Sequence, residues 1–164
     1  MTSDAIDNAR HIAERAHEGQ QDKIGAPYIQ HPEMVAALVQ RLPAFVAADA
    51  DTQQNAIVAA WLHDVIEDTP ITAEDLLNSG VRERAVDAVV ALTRTDAVAP
   101  DDYYATISTK PVALLVKTAD LGSNLAPERV AQLDASTQER LERKYTHALA
   151  QLNVPRATID ALHR

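Results

Sequence analysis

Apolar residues recur every three or four positions along most of the chain, and this spacing is typical of amphipathic helices. Residues 3–18 carry such a stripe and predict a first helix, which Gly19 ends. No segment shows the strict alternation of apolar and polar residues that a half-buried strand needs. The sequence therefore predicts an all-α fold, a bundle of about eight helices. Further helices are predicted to begin near Pro32, Asp51, Thr72, Val81, Val112, Pro127, Ser136 and Pro155.

Local signals refine the predicted helix ends. Residues 72–75 and 136–139 each have the pattern of a capping box, in which the first and fourth side chains bond to each other's backbone N–H groups. Residues 94–102 lack helical periodicity and are predicted to form a loop. A helix is predicted over residues 51–67, and its centre, residues 56–62, is apolar on all sides. An apolar surface all round indicates that this is the central helix of the fold.

The composition restricts the class of protein. A hydrophobic content of 46% in 164 residues suffices for one domain over residues 1–164. The net charge of −9, without any basic block, argues against a nucleic acid partner. The longest apolar run is too short to cross a membrane, and the first residues show no targeting segment, so a soluble, cytoplasmic protein is expected. The absence of cysteine excludes disulfides and thiolate metal sites.

Ionisable residues follow the most apolar run of the chain. His63, Asp64, Glu67 and Asp68 come directly after residues 56–62, at spacings that bring several of them to one helix face. Burying such groups is costly unless they are paired or bind a metal. The alternative is that the helix end simply becomes exposed to solvent. The apolar run before these residues favours the metal hypothesis.

Two further residues interrupt apolar or helix-forming segments. His31 stands at the entry of the second helix, and Asp120 follows the apolar run 112–116 with Asn124 four residues later. Taken alone, His31 is better explained as a helix-capping residue. Asp120 and the ionisable residues 63–68 each interrupt an apolar pattern in a different core helix, and two such interruptions indicate that they face each other. Imidazole and carboxylate together suit Mn²⁺, Fe²⁺ or Zn²⁺.

These motifs resemble the hydrolase domain of Rel/Spo-type alarmone enzymes, including the small alarmone hydrolases. The resemblance is carried by residues 16–20, 25–32, 62–69 and 115–120, and it extends over about residues 5–150. It implies an HD-domain helical bundle. It also implies the reaction of that family, removal of the 3′-pyrophosphate from (p)ppGpp in the stringent response.

The resemblance further implies roles for individual residues. It implies one Mn²⁺ held by His31, His63, Asp64 and Asp120. It implies that Glu67 and Asp68 are the acidic pair beside the attacking water. A metal ion that neutralises phosphate charge and a carboxylate that accepts a proton are what phosphate ester hydrolysis requires.

Candidate residues for substrate binding are Lys23, Lys117, Asn124 and Tyr145. Three of them have a structural alternative: Lys117 can form an ion pair, Asn124 can brace its helix, and Tyr145 can belong to the core or its edge. Trp61 is predicted to lie in the core. The remaining histidines, at positions 11, 17, 147 and 163, are predicted at the surface or its boundary.

The chain departs from the family pattern at two places. Asp22 stands where the family has a basic residue, and it is expected to repel a bound phosphate. Residues 121–123 lack the base and the aromatic residue or histidine that the family has around this position. Two other functions therefore stay open. One is a phosphohydrolase for a different nucleotide, and the other is a non-catalytic nucleotide-binding module. Retention of both Glu67 and Asp68 argues against the second. In every case the expected partner is a small phosphorylated nucleotide.

Overall fold

The computed structural model describes residues 3–164, which form twelve helices. Within this part of the chain, the β-structure is limited to an isolated bridge between Gln21 and Pro27. The predicted all-α class is confirmed, with more and shorter helices than expected. The helices are α1 (Ser3–Ala16), α2 (Gln30–Val39), α3 (Pro43–Val46), α4 (Ala50–Leu62), α5 (Val65–Asp68), α6 (Ala73–Asn78), α7 (Glu83–Leu92), α8 (Pro100–Ser108), α9 (Pro111–Asn124), α10 (Pro127–Val130), α11 (Ala135–Leu152) and α12 (Arg156–Ala161).

The core is built around three mutually packed helices, α2, α4 and α9. Helix α4 also packs against α1 and α7, and all its residues from Gln54 to Ala60 are buried. The predicted central position of this segment is therefore confirmed. Trp61, predicted to lie in the core, is only half-buried and packs against the edge of the core. Among residues 3–164, every helix is too short or too polar to cross a lipid bilayer.

The predicted continuous helix over residues 51–67 is wrong. Helix α4 ends at Leu62, and α5 begins only at Val65. Between them, Asp64 has φ −103° and ψ −2°, outside regular helical geometry. Adjacent side chains of a regular helix do not face each other. The break therefore allows His63 and Asp64, which are neighbours in sequence, to point towards the same place.

The helix ends test the two predicted capping boxes. The box at Thr72 and Asp75 is confirmed, since each side chain bonds to the backbone N–H of the other. The prediction of a capping box at residues 136–139 is wrong, because Asp134 caps α11 by accepting from the N–H of Thr137. Helix α11 consequently begins at Ala135. The predicted loop over residues 94–102 is also shorter than expected, because Pro100 opens α8.

Gly122 permits the close packing of α12 against α9. A Cβ atom at this position would lie 2.7 Å from Cδ1 of Leu162 and 3.6 Å from Cδ1 of Leu38. Leu162 itself is buried. The absence of a side chain at position 122 thus lets the C-terminal helix approach the helix that carries Asp120.

We expect Gly122→Val to lower the free energy of unfolding by about 1–3 kcal/mol, because its Cβ atom would overlap the side chain of Leu162. Denaturant unfolding measures the change. In a Leu162→Ala background the same substitution should cost less, since the clashing atoms are gone. Equal costs in the two backgrounds would contradict the proposed packing contact.

Candidate functional site

Two histidines from different helices meet inside the bundle. His31 lies in the first turn of α2, and His63 lies in the turn that follows α4. Both side chains are buried, and their Nε2 atoms are 3.2 Å apart. The packing of α2 against α4 brings the two rings together.

Two aspartates complete this cluster. Asp120 comes from α9, and its Oδ1 lies 3.0 Å from Nε2 of His31 and 3.7 Å from Nε2 of His63. Oδ2 of Asp64 lies 3.0 Å from Nε2 of His63 and 3.7 Å from Nε2 of His31. The structure therefore brings together the four residues that the sequence suggested as metal ligands. The ligand atoms of His31, His63 and Asp64 all lie within 4.8 Å of one another.

The outer nitrogens of both imidazoles are bonded in a way that leaves the inner nitrogens available to a cation. Nδ1 of His63 donates to the carbonyl oxygen of Ala60 at 2.7 Å, and Nδ1 of His31 lies 3.0 Å from Oγ of Ser123. In a neutral imidazole, a proton on Nδ1 leaves a lone pair on Nε2. Two lone pairs 3.2 Å apart repel each other unless a proton or a cation lies between them. Two imidazoles and two carboxylates are a donor set that fits a divalent transition metal.

The electrostatics of the cluster favour positive charge at its centre. Burial alone would lower the pKa of His63, but the carboxylates of Asp64 and Asp120 raise it to about 9. Burial would raise the pKa of Asp120, but Lys117 and the two histidines hold it well below its usual range. Both pKa shifts arise because the carboxylates favour positive charge between them, which is the field that a bound cation requires.

Three side chains fix the two carboxylates in place. The hydroxyl of Tyr28 donates to Asp64, and burial followed by the charge of Asp64 raises the pKa of this tyrosine. Nζ of Lys117 lies 2.8 Å from Oδ2 of Asp120, and Nδ2 of Asn124 donates to its Oδ1 at 3.1 Å. Lys117 therefore forms an ion pair and Asn124 braces its own helix. These are the structural roles that the sequence offered as alternatives to substrate binding.

The acidic pair stands in α5, beside the cluster. Oε1 of Glu67 accepts from the backbone N–H of Arg94 at 2.6 Å. Burial raises the pKa of both Glu67 and Asp68, and the negative charge of Asp64 raises both further. A carboxyl with a raised pKa is a stronger base once ionised, which suits a group that must accept a proton.

A cavity of about 310 Å³ gives access to the cluster. The four predicted ligands, the acidic pair and the four candidate substrate-binding residues all line it. Its walls also carry three cations that the sequence did not single out. Lys144 could have been found from the sequence, because it is the neighbour of Tyr145. Arg94 and Arg129 are brought to the cavity only by the fold. The cations of the lining are Lys23, Arg94, Lys117, Arg129 and Lys144.

Asp22 does not face this cavity, contrary to the expectation that it would oppose a bound phosphate. Its Oδ1 accepts from the backbone N–H groups of Ile24 and Ala26, both at 3.0 Å. Its Oδ2 lies 3.5 Å from Nη1 of Arg129, and the side chain is 8% exposed. The carboxylate therefore organises the loop before α2 and faces a cation of the cavity wall.

The second departure from the family pattern also has a structural role. Leu121 is buried in the core, and Gly122 allows α12 to approach. Ser123 is buried and contacts Nδ1 of His31. These residues thus support the cluster from behind instead of lining its cavity.

The interpretation of His17 as a surface or boundary residue is wrong. Its side chain is buried, with Nδ1 2.8 Å from Oε1 of Gln20 and the ring centroid 4.9 Å from that of Tyr28. Packing against Tyr28 draws the ring inward. His11 and His147 are exposed and His163 is half-buried, as predicted.

Comparison with known proteins identifies one matching family. The family model described as HD domain matches residues 9–110. A solved structure of a metazoan ortholog of SpoT, described as hydrolysing ppGpp, superposes with a TM-score of 0.76 at 18% identity, over 99% of this chain and 93% of that one. At this identity the likeness shows that the fold is shared.

Related proteins of known name match this chain over only a small part of their own length. The guanosine-3′,5′-bis(diphosphate) 3′-pyrophosphohydrolase of Haemophilus influenzae is 48% identical over 65 residues, which cover 40% of this chain and 8% of that protein. The GTP pyrophosphokinase of Streptomyces coelicolor is 30% identical over 155 residues, 90% of this chain and 17% of that protein. The chain thus spans less than a fifth of the length of these relatives. The resemblance suggested by the motifs is confirmed.

We expect Ser123→Ala to weaken divalent metal binding by about 10–100-fold, because it removes the hydroxyl that orients the ring of His31. Metal titration by calorimetry measures the change. Ser108→Ala is the matched control, since that hydroxyl bonds only to the carbonyl oxygen of Tyr104 in its own helix. Unchanged metal affinity in Ser123→Ala would show that this contact does not position the ring.

Proposed function

The chain belongs to the HD domain family, and on this premise we propose that it is a hydrolase that removes the 3′-pyrophosphate of (p)ppGpp-like nucleotides with a divalent metal ion, Mn²⁺. One observation carries the proposal. A cluster of two histidines and two aspartates, all buried except the half-buried Asp64, opens into a cavity lined by five cations and two further carboxyls.

The charge distribution supports a phosphorylated substrate. The chain as a whole has a net charge of −9, so its overall field repels anions. The cavity nevertheless collects Lys23, Arg94, Arg129 and Lys144 around the cluster. A multiply charged phosphate ester is the ligand that such a local reversal of charge fits. The names of two similar proteins point to the same substrate class, since one refers to guanosine-3′,5′-bis(diphosphate) and the other to ppGpp.

The residues of the chain divide the chemistry between them. His31, His63, Asp64 and Asp120 would hold the metal ion. When bound, that ion supplies Lewis acidity and neutralises phosphate charge. Glu67 and Asp68 would accept the proton of the attacking water, since their carboxyls stand in the same cavity.

Other side chains and one backbone group would orient the catalytic carboxyl or stabilise charge. The backbone N–H of Arg94 holds one oxygen of Glu67 and so orients its carboxyl. The ammonium of Lys144 and the guanidinium of Arg94 would stabilise the negative charge that the departing pyrophosphate gathers. Lys117 is committed to Asp120 and would act on the substrate only through that ligand.

The proposed function is tested by turnover of ppGpp in the presence of Mn²⁺, with Mg²⁺ and Zn²⁺ as comparisons. We expect GDP and pyrophosphate as products, and about one metal ion bound per chain by elemental analysis. His63→Ala should lose both metal and turnover, because it removes a buried ligand. Turnover of other nucleotides without turnover of ppGpp would exclude the alarmone substrate. Absence of any turnover would favour a nucleotide-binding module.

Glu67→Gln and Asp68→Asn should separate catalysis from metal binding. Each amide removes a proton acceptor at nearly constant shape, so we expect kcat to fall by about 10²–10⁴-fold while metal content is retained. Steady-state kinetics and elemental analysis give the two readouts. Glu83→Gln in the first turn of α7 is the matched control, outside the cavity. Near-normal rates in both variants would rule out the acidic pair as proton acceptor.

A further inference from the structure

One wall of the metal cavity comes from a short helix that has little packing of its own. Helix α10 joins α9 to α11 and has four residues, none of which is buried. Its Arg129 nevertheless lines the metal cavity. A helix of this length without a buried side chain gains little from helix propensity or from the hydrophobic effect. Its position relative to the cavity therefore depends on polar contacts.

The side chain of Arg129 forms one such contact. Its Nη1 lies 3.5 Å from Oδ2 of Asp22, and the two side chains are 30% and 8% exposed. Among residues 3–164, Asp22 is the only residue whose side chain pairs with this guanidinium. The two residues are 107 positions apart in sequence. The ion pair thus links α10 to the loop between α1 and α2, and Lys23 of that loop lines the same cavity.

Asp22 is the fixed end of this link. Its Oδ1 accepts from the backbone N–H groups of Ile24 and Ala26, both at 3.0 Å. Its own N–H donates to the carbonyl oxygen of Ala26 at 2.9 Å, and its carbonyl oxygen accepts from the N–H of Gly25 at 3.1 Å. These bonds hold the carboxylate in one orientation, with Oδ2 turned towards α10. Loss of the ion pair would therefore release α10 and leave the loop in place.

Arg129 keeps most of its hydrogen-bonding capacity. A guanidinium has five N–H donors, and Asp22 engages it through Nη1 alone. In the described part of the chain no other side-chain acceptor bonds to it. The remaining donors can bond to acceptor atoms of a ligand in the cavity. Because a guanidinium donates in fixed directions, such bonds form only if α10 holds Arg129 in place.

We propose that Asp22 is a positioning residue for the proposed reaction and that it acts through Arg129. The ion pair holds α10 beside the loop, so that Arg129 donates hydrogen bonds to the nucleotide bound in the metal cavity. The inference rests on the proposed function, because that nucleotide is the substrate. An acid at position 22 then helps substrate binding, and a base there would repel Arg129 and displace this wall of the cavity.

Steady-state kinetics with ppGpp test the role of Asp22. Asp22→Asn keeps an oxygen that can accept from Ile24 and Ala26 but removes the charge that faces Arg129. We expect KM to rise about fivefold with little change in kcat, because Arg129 contacts the ground state and the transition state alike. Asp22→Arg should raise KM further. Asp4→Asn, exposed on α1 and outside the metal cavity, is the control for the loss of a negative charge.

A double-mutant cycle separates this contact from a general effect of charge. Arg129→Gln should raise KM by a similar factor, and adding Asp22→Asn to it should cause no further rise, because the partner is already gone. An unchanged KM in either single variant would overturn the proposal. An effect of Asp22→Asn that persists in the Arg129→Gln background would overturn it as well.

Amide hydrogen exchange provides a readout that does not depend on hydrolysis. The N–H groups of Arg129, Val130 and Ala131 bond to the carbonyl oxygens of residues 126 and 127, so their exchange rates report the opening of α10. Asp22→Asn should increase these rates about fivefold, and Asp4→Asn should preserve them. Equal rates in wild type and Asp22→Asn would overturn the inference even if ppGpp is hydrolysed. If the rates rise but the wild type does not hydrolyse ppGpp, the proposed function fails while the link between α10 and the loop stands.

Discussion

The arrangement of the whole site depends on two imidazole nitrogens that face each other at 3.2 Å between two carboxylates. Such a group of ionisable atoms is costly inside an apolar bundle, and it persists only if every member is paired. The packing of α2, α4 and α9 supplies the members from three directions. The break after Leu62 is also needed for this arrangement, because a continuous helix could not turn His63 and Asp64 towards one point.

A layer of surrounding contacts determines what the cluster can bind. Ala60 and Ser123 engage the outer nitrogens of the histidines, so the inner nitrogens present lone pairs. Lys117 and the two histidines keep Asp120 in its ionised form, and the hydroxyl of Tyr28 fixes the orientation of Asp64. The charge of Lys117 offsets one carboxylate, so a divalent cation would meet a cluster whose carboxylate charge is already partly neutralised. This layer limits the attraction to metal without blocking it.

The sequence predicts the parts of this site that arise from local chemistry. His63 and Asp120 could be identified because each interrupts an apolar helical pattern, where an ionisable group needs a partner. The break between α4 and α5 could not be predicted, because residues 62–67 keep helical spacing and the break is stabilised by contacts from α2 and α9. His17 and Arg94 were misjudged or missed for the same reason. Their surroundings come from segments distant in sequence, such as Tyr28 for the first and Tyr103 for the second.

The structure also gives Asp22 a role different from the one expected from the sequence. A basic residue is the family pattern there, and its loss suggested a weaker phosphate site. The carboxylate of Asp22 instead accepts two backbone N–H groups and lies 3.5 Å from Arg129, which lines the metal cavity from α10. A cation from α10 is therefore present at the cavity wall, and the carboxylate of Asp22 helps to hold it there. The positive charge of the site depends on which side chains the fold brings to the cavity, and comparison of single sequence positions does not show this.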